Sequence, residues 1–176
     1  AYNQNRKNSD LRFYEFGTTY HKIEGTYKQR RYLSIWLTGK TMEDNWTAKG
    51  EKYNFFHAKA LVEQVLRKLG HTNFDREIAE ASPFVFSLQL KNEAQTVARL
   101  GGIAPKILKQ FDIKNEVFYA ELDWDYLLDK SQFVKTSFTE LPKFPAVRRD
   151  LAMLVSEDLH FEAIEKIAQN ESKKLL

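Results

Sequence analysis

The chain has 176 residues, with 27 basic against 24 acidic side chains and a formal net charge of +3. That balance excludes nucleic-acid binding by whole-molecule attraction, so any such role must rest on a local patch. A hydrophobic share of 43% excludes a disordered chain, and the absence of cysteine excludes disulfides and thiolate metal sites.

In chain order, LRFYEFGTTY (11–20) is rich in aromatic and β-branched residues and reads as a strand or a bent pair, with Gly17 at the bend. HKIEGTYKQ is a polar hairpin connection carrying Gly25. It leads into a strand over 30–39, in which Tyr32, Ser34, Trp36 and Thr38 face one way and Leu33, Ile35 and Leu37 the other. Residues 40–53 are polar and form a loop.

The spacing of Ala58, Leu61, Val62, Val65, Leu66 and Leu69 predicts an amphipathic helix over 54–70. Asn54 caps its start and Gly70 ends it. Lys59, Glu63 and Arg67 stand four apart on its outer face, each pair worth a few tenths, about 0.2–0.5 kcal/mol.

After a polar turn, 84–90 and 94–103 form a strand pair that Gly101-Gly102 breaks, and Ala104-Pro105 opens a short helix through Leu108. Residues 116–124 are a strong strand, DYLLDK is a helical turn, and 133–141 is a further strand. PKFPA (142–146) is a stiff junction. Beyond it, RRDLAMLVS is a strand with Leu151, Met153 and Val155 on one face. HFEAIEKIAQNESKKLL is a helix that Ser156 or Asp158 can cap. Strands following strands define an α+β fold with a largely antiparallel sheet. The ends, AYNQNRKN and ESKKLL, suggest a fragment of a longer protein. No apolar run approaches the roughly 20 residues that span a bilayer, and no apolar signal core opens the chain. A soluble, cytoplasmic protein with no membrane partner is expected.

Chemistry-bearing patterns are few. His21, His57, His71 and His160 are scattered without metal-ligand spacing, and no nucleophile elbow or phosphate-binding glycine loop occurs. Asp123 and Asp125 flank Trp124 at a strand end. They either share a cation or proton or are solvated turn residues. Lys143, Arg148 and Arg149 form the best polar cluster. Guanidinium groups grip phosphate bidentately, while the competing structural role is pairing of Arg149 with Asp150 or acidic neighbours beside a proline strut.

The ordered series DLRFYEFGTTY, a strand ending LTG, W-x8-FFHAKALVEQVLRKLG, GGIAPKILKQFDI, FYAELDWDYLL and FPAVRRDLAMLV resembles the C-terminal portion of the bacterial phenylalanyl-tRNA synthetase β-subunit family. FPAVRRDLA is the most specific piece, and the match runs from about residue 10 to the end. The resemblance implies a class II synthetase-like antiparallel sheet with packed helices over 1–141, part of a catalytic-like but inactive domain. It implies for 142–176 the junction and first β-α of a ferredoxin-like anticodon-binding domain, whose full β-α-β-β-α-β set is not present here.

Class II sites resemble one another in an Arg-x-Glu strand and a glycine-rich motif ending in arginine. Here Arg12 and Glu15 are separated by two residues, and GGIAP carries no arginine after its glycines. The expectations are therefore no catalytic residue and no metal or cofactor in this fragment, with ATP and Mg²⁺ used by the whole α2β2 enzyme. The implied partners are the α subunit and tRNA(Phe), with Lys143, Arg148 and Arg149 as candidate tRNA contacts. The fragment itself is expected to scaffold the α subunit and the RNA-binding tail. The rival readings are a freestanding RNA-binding module using the same three cations and an independent small-molecule enzyme, for which no constellation speaks.

Overall fold

The computed structural model describes residues 2–6, 8–79, 82–134, 138, 140, 143, 145 and 147–171. The chain divides into two units, Ala1–Thr136 and Ser137–Leu176. The first is an α+β unit built on one six-stranded antiparallel sheet in the order β1-β2-β6-β5-β4-β3.

A short helix α1 (Tyr2–Asn5) precedes β1 (Leu11–Ile23), which pairs along its whole length with β2 (Thr26–Thr38). These strands outrun expectation. Glu24 (φ 49°) and Gly25 (φ 80°) form a two-residue turn with both φ positive, the geometry that matches strand twist and keeps the ladder closed to its tip. Gly17 is no bend; it sits in register opposite Tyr32.

Helix α2 (Phe55–Lys68) follows the predicted stripe and buries Ala58, Val62 and Leu66. Its start is a reciprocal cap: the Asn54 side chain accepts from the His57 backbone N–H, and His57 Nδ1 accepts from the Asn54 N–H at 3.1 Å. That bond leaves the proton of the neutral ring on Nε2. At the other end Gly70 adopts φ +83°, with the Gly70 N–H donating to Arg67 O and the His71 N–H to Leu66 O. This is the paired closure that only a residue tolerant of left-handed backbone forms cheaply. On the outer face Glu63 pairs with Lys59 and with Arg76, both at 3.7 Å, and not with Arg67.

β3 (Asp75–Ala79) lies in the stretch expected to be a turn. It is an edge strand whose charged residues carry no alternating apolar signal, so its existence depends on the ladder that β4 (Phe84–Asn92) offers it. β5 (Gln95–Ile103) runs straight through Gly101-Gly102, which was expected to break it. A Cβ on Gly101 would lie 2.1 Å from the Phe86 carbonyl oxygen, so glycine here permits close approach of β4. α3 (Pro105–Gln110), β6 (Val117–Asp123) and α4 (Trp124–Ser131) complete the unit.

The core lies on one face of the sheet. Leu33, Ile35 and Leu37 of β2, Leu100 of β5 and Ala120 and Leu122 of β6 meet α2 and Leu127 of α4. Full burial of such a side chain is worth about 1.5–3 kcal/mol. The opposite face carries a smaller cluster of Phe84, Ile103, Val117 and Tyr119 under Ile107, Leu108 and Ile113.

In the second unit α5 (Phe161–Glu171) forms as predicted within its described span. The strand expected over 148–156 does not. A strand needs a neighbouring ladder, and among the described residues this segment has none. Most of the strand expected over 133–141, and part of the 142–146 junction, lie outside the described residues; Phe133 and Val134 form no strand.

Candidate functional site

Strand periodicity sends alternate residues to the face of the sheet that α2 leaves open. The registers place Glu15, Ser34, Glu121, Arg99, Gln89 and Glu77 in one row across all six strands. A second row holds Phe13, Trp36, Tyr119, Gly101 and Ser87. At the centre the side chains form a continuous relay. Tyr119 Oη donates to Glu121 Oε2 at 2.8 Å and lies 3.1 Å from Ser34 Oγ, which is free to donate in turn. Glu121 Oε1 accepts from Arg99 Nε at 3.1 Å and pairs with Nη2 at 2.9 Å.

Trp36 covers the Tyr119 ring at 4.1 Å, and Phe84 stacks on it at 5.9 Å. Burial, joined by the Glu121 carboxylate, pushes the Tyr119 hydroxyl up to about 12 against the smaller opposing effect of Ser34. It stays protonated at neutral pH and serves as a donor, not a base.

Beside this relay an open groove of about 420 Å³ is lined by Arg30, Tyr32, Gln89, Gln95, Arg99, Glu121 and Asp123, among others. Its cations are already engaged: Arg99 by Glu121, and Arg30 by Asp123 at 3.6 Å. Arg12 is not there at all. It stands opposite Leu37 on the core side, whereas Glu15 stands opposite Ser34 on the open side, as the two-residue separation predicts for an extended strand. Catalysis of phosphoryl transfer needs cations converging on developing charge. This face presents arginines whose charge is neutralised in place. Among the described residues no three His, Asp or Glu side chains gather as a metal site.

The carboxylates singled out in the sequence are separated by the fold. Asp123 is buried as the N-cap of α4, accepting from the Tyr126 N–H at 3.1 Å and from Gln95 Nε2 at 3.2 Å. Asp125 turns to the root of the β1–β2 hairpin, accepting from the Arg31 backbone N–H at 2.8 Å and its Nε at 2.6 Å. These bonds hold the Asp125 carboxyl below its ordinary range. The two carboxylates thus serve as structural acceptors for different partners, and Asp123, being buried, is not the solvated turn residue expected.

Lys143, Arg148 and Arg149 are exposed on irregular backbone of the second unit. Arg148 Nε lies 3.4 Å from Asp150 Oδ1, with both side chains nearly fully solvated, so the pair is weak. The expected partner of Asp150 was Arg149; it is Arg148. Among the described residues no hydrogen bond or ion pair engages Lys143 or Arg149. The open-face relay of Ser34, Tyr119, Glu121 and Arg99 went unrecognised in the sequence. The polar positions alternating with apolar ones on β2 and β6 were its signal, but their meeting depends on cross-strand register.

The architecture is that of an aminoacyl-tRNA synthetase sheet. A crystal structure of pyrrolysyl-tRNA synthetase from Desulfitobacterium hafniense superposes with a TM-score of 0.53 over 80% of this chain and 50% of that one, at 13% identity. A second structure, of PylSc from the same organism, matches at 0.53 over 80% of this chain and 51% of that one, also at 13% identity. At that identity the likeness concerns fold alone. The family model for the phenylalanyl tRNA synthetase beta chain CLM domain matches residues 1–124, and the chain belongs to this family.

Its relatives include the phenylalanine–tRNA ligase beta subunits of Bacteroides thetaiotaomicron, 38% identical over all of this chain and 23% of that protein, and of Porphyromonas gingivalis, 31% identical over the same shares. That of Listeria monocytogenes is 29% identical over all of this chain and 22% of its own length. The chain thus spans about a quarter of the length of the curated relatives it matches.

Proposed function

We propose that this chain is a noncatalytic part of the β subunit of a phenylalanine–tRNA ligase, supporting the α subunit and tRNA(Phe) in ATP-dependent aminoacylation. The observation that carries the reading is the open face itself. Its two groove arginines are held by Glu121 and Asp123, its tyrosine is locked as a donor, and Arg12 lies on the other face. Among the described residues, the open face gathers no unengaged cations for ATP phosphates and no cluster of carboxylates for Mg²⁺, so the activation step is assigned to the α subunit.

The domain reading follows from the same family. Residues 1–141 are taken as catalytic-like sheet, and 142–176 as the junction and start of a ferredoxin-like anticodon-binding domain in which α5 is the first helix. Lys143, Arg148 and Arg149 are its proposed tRNA contacts, and their solvent exposure supports that role. The subunit role is tested by mixing the chain with the α subunit and measuring co-migration by sedimentation. A stable complex is expected; two unmixed boundaries at high concentration would contradict the reading. Neutralising the three cations is expected to weaken tRNA binding and reduce its salt dependence, by roughly one unit of slope per lost phosphate contact.

A further inference from the structure

We infer that the core-side groove between α2 and the edge strand β1 is an RNA-backbone binding site, distinct from the open face and from the cations of the second unit. The groove has a volume of about 760 Å³, and its lining includes Arg12, His57, Gln64, Arg67 and Lys68, with Tyr53 at its floor. Among the described residues no aspartate or glutamate lines it. Among the described residues no carboxylate lies within 4.0 Å of the charged nitrogens of Arg12, Arg67 or Lys68.

This is the reverse of the open face, where each groove arginine has its acid. In a chain of nearly balanced charge, three unengaged cations around one concavity mark an anionic ligand.

The shape favours a polymer over a single phosphate. His57, Leu61, Gln64 and Lys68 recur along one stripe of α2, and eleven residues of helix rise about 16 Å. A strand of phosphodiesters can follow that stripe, meeting the Arg67 and Lys68 charges at its end. The cap bond to Asn54 fixes His57 with Nε2–H as the donor left for the groove. Two residues beyond Arg12 and on the same face of β1, Tyr14 is 74% exposed. Its ring meets Phe16 edge-on at 6.2 Å, which leaves its face open, and an exposed aromatic face near a cationic track is the combination on which unpaired bases stack. An acidic protein segment would use the cations and leave Tyr14 idle. The choice of RNA rests on the ligase reading above; the anionic character of the ligand rests on the groove alone.

The test is a fluorescence-anisotropy titration of labelled tRNA(Phe) transcript, and of a short single-stranded RNA, with the full chain across a range of salt. Each phosphate contact contributes about 0.7 to the salt slope of a single strand, or about fivefold in affinity at roughly 0.1 M salt. Neutralising Arg12, Arg67 and Lys68 to Gln is therefore expected to weaken binding on the order of a hundredfold and lower the slope by about 2. Tyr14→Ala is expected to cost about tenfold. Arg12→Lys with Arg67→Lys keeps charge and is expected to bind within a few-fold of the unaltered chain, which guards against a folding artefact.

The same loss is expected in a background where Lys143, Arg148 and Arg149 are already neutralised. Unchanged RNA affinity in the neutralised groove variant would overturn the proposal, as would salt-independent binding. Equal competition by polyglutamate, with Tyr14→Ala silent, would assign the groove to an acidic protein instead. Failure to assemble with the α subunit while groove-dependent RNA binding persists would overturn the ligase reading and leave the groove standing.

Discussion

Tyr119 shows how one side chain reports on the open face. Its folded-state pKa of about 12 lies above the ordinary 10.0, so the fold stabilises the neutral form. That stabilisation is complete below pH 10 and is lost as pH rises through the folded value, because the unfolded chain gains its tyrosinate first. Titrating tyrosinate absorbance should show a late-ionising step, and Tyr119→Phe should abolish it. If Tyr119→Phe leaves the late part of the titration unchanged, the buried relay does not exist. Asp123 acts at the same scale but through the backbone: it caps α4 while almost wholly buried. Replacing it with Ala removes the cap and leaves Arg30 and Gln95 without their acceptor. The expected loss is roughly 1–3 kcal/mol by urea denaturation.

Among the elements, the β1–β2 hairpin outruns the sheet, for β6 pairs with β2 only over Tyr32–Thr38. At its root the Arg31–Asp125 clasp ties it to α4. Because the folded Asp125 pKa is depressed, its contribution is present above the ordinary 3.8 and disappears as pH falls through the folded value. Acid unfolding of Asp125→Asn should lack that component of the pH dependence; identical acid profiles would show the clasp to be idle. The close approach of β4 and β5 makes a second claim. Gly101→Ala should cost roughly 1–3 kcal/mol, since the added methyl meets the Phe86 carbonyl.

Much of this level was legible. The 3.6-residue stripe of α2, with Asn54 and Gly70 at its ends, is local information and needs no partner to be read. Alternation did the same for β2 and β6. What escaped depends on distant pairing. β3 has almost no apolar pattern and exists because β4 presents an edge. Gly101-Gly102 looked like a break because a glycine that admits a neighbouring strand is indistinguishable, in sequence, from one that ends a ladder. The strand drawn over 148–156 failed for the converse reason: alternation of Leu151, Met153 and Val155 predicts a face, and the described residues supply no ladder for it. The candidate site was less legible still, since Ser34, Arg99, Tyr119 and Glu121 come from three strands and meet only through register.

For the molecule as a whole, the first unit turns one synthetase-like sheet into two differently charged surfaces. The open face is closed by ion pairs, and the core-side groove keeps its cations unengaged. The chain belongs to the phenylalanyl tRNA synthetase beta chain family and spans about a quarter of the length of the curated relatives it matches. Its proposed roles are support and RNA contact within a ligase whose α subunit carries out activation. Phenylalanine-dependent ATP–pyrophosphate exchange tests this assignment most directly, measured with the chain alone and with the α subunit added. The prediction is no exchange above background from the chain alone at any concentration. Robust exchange by the chain without the α subunit would contradict the account.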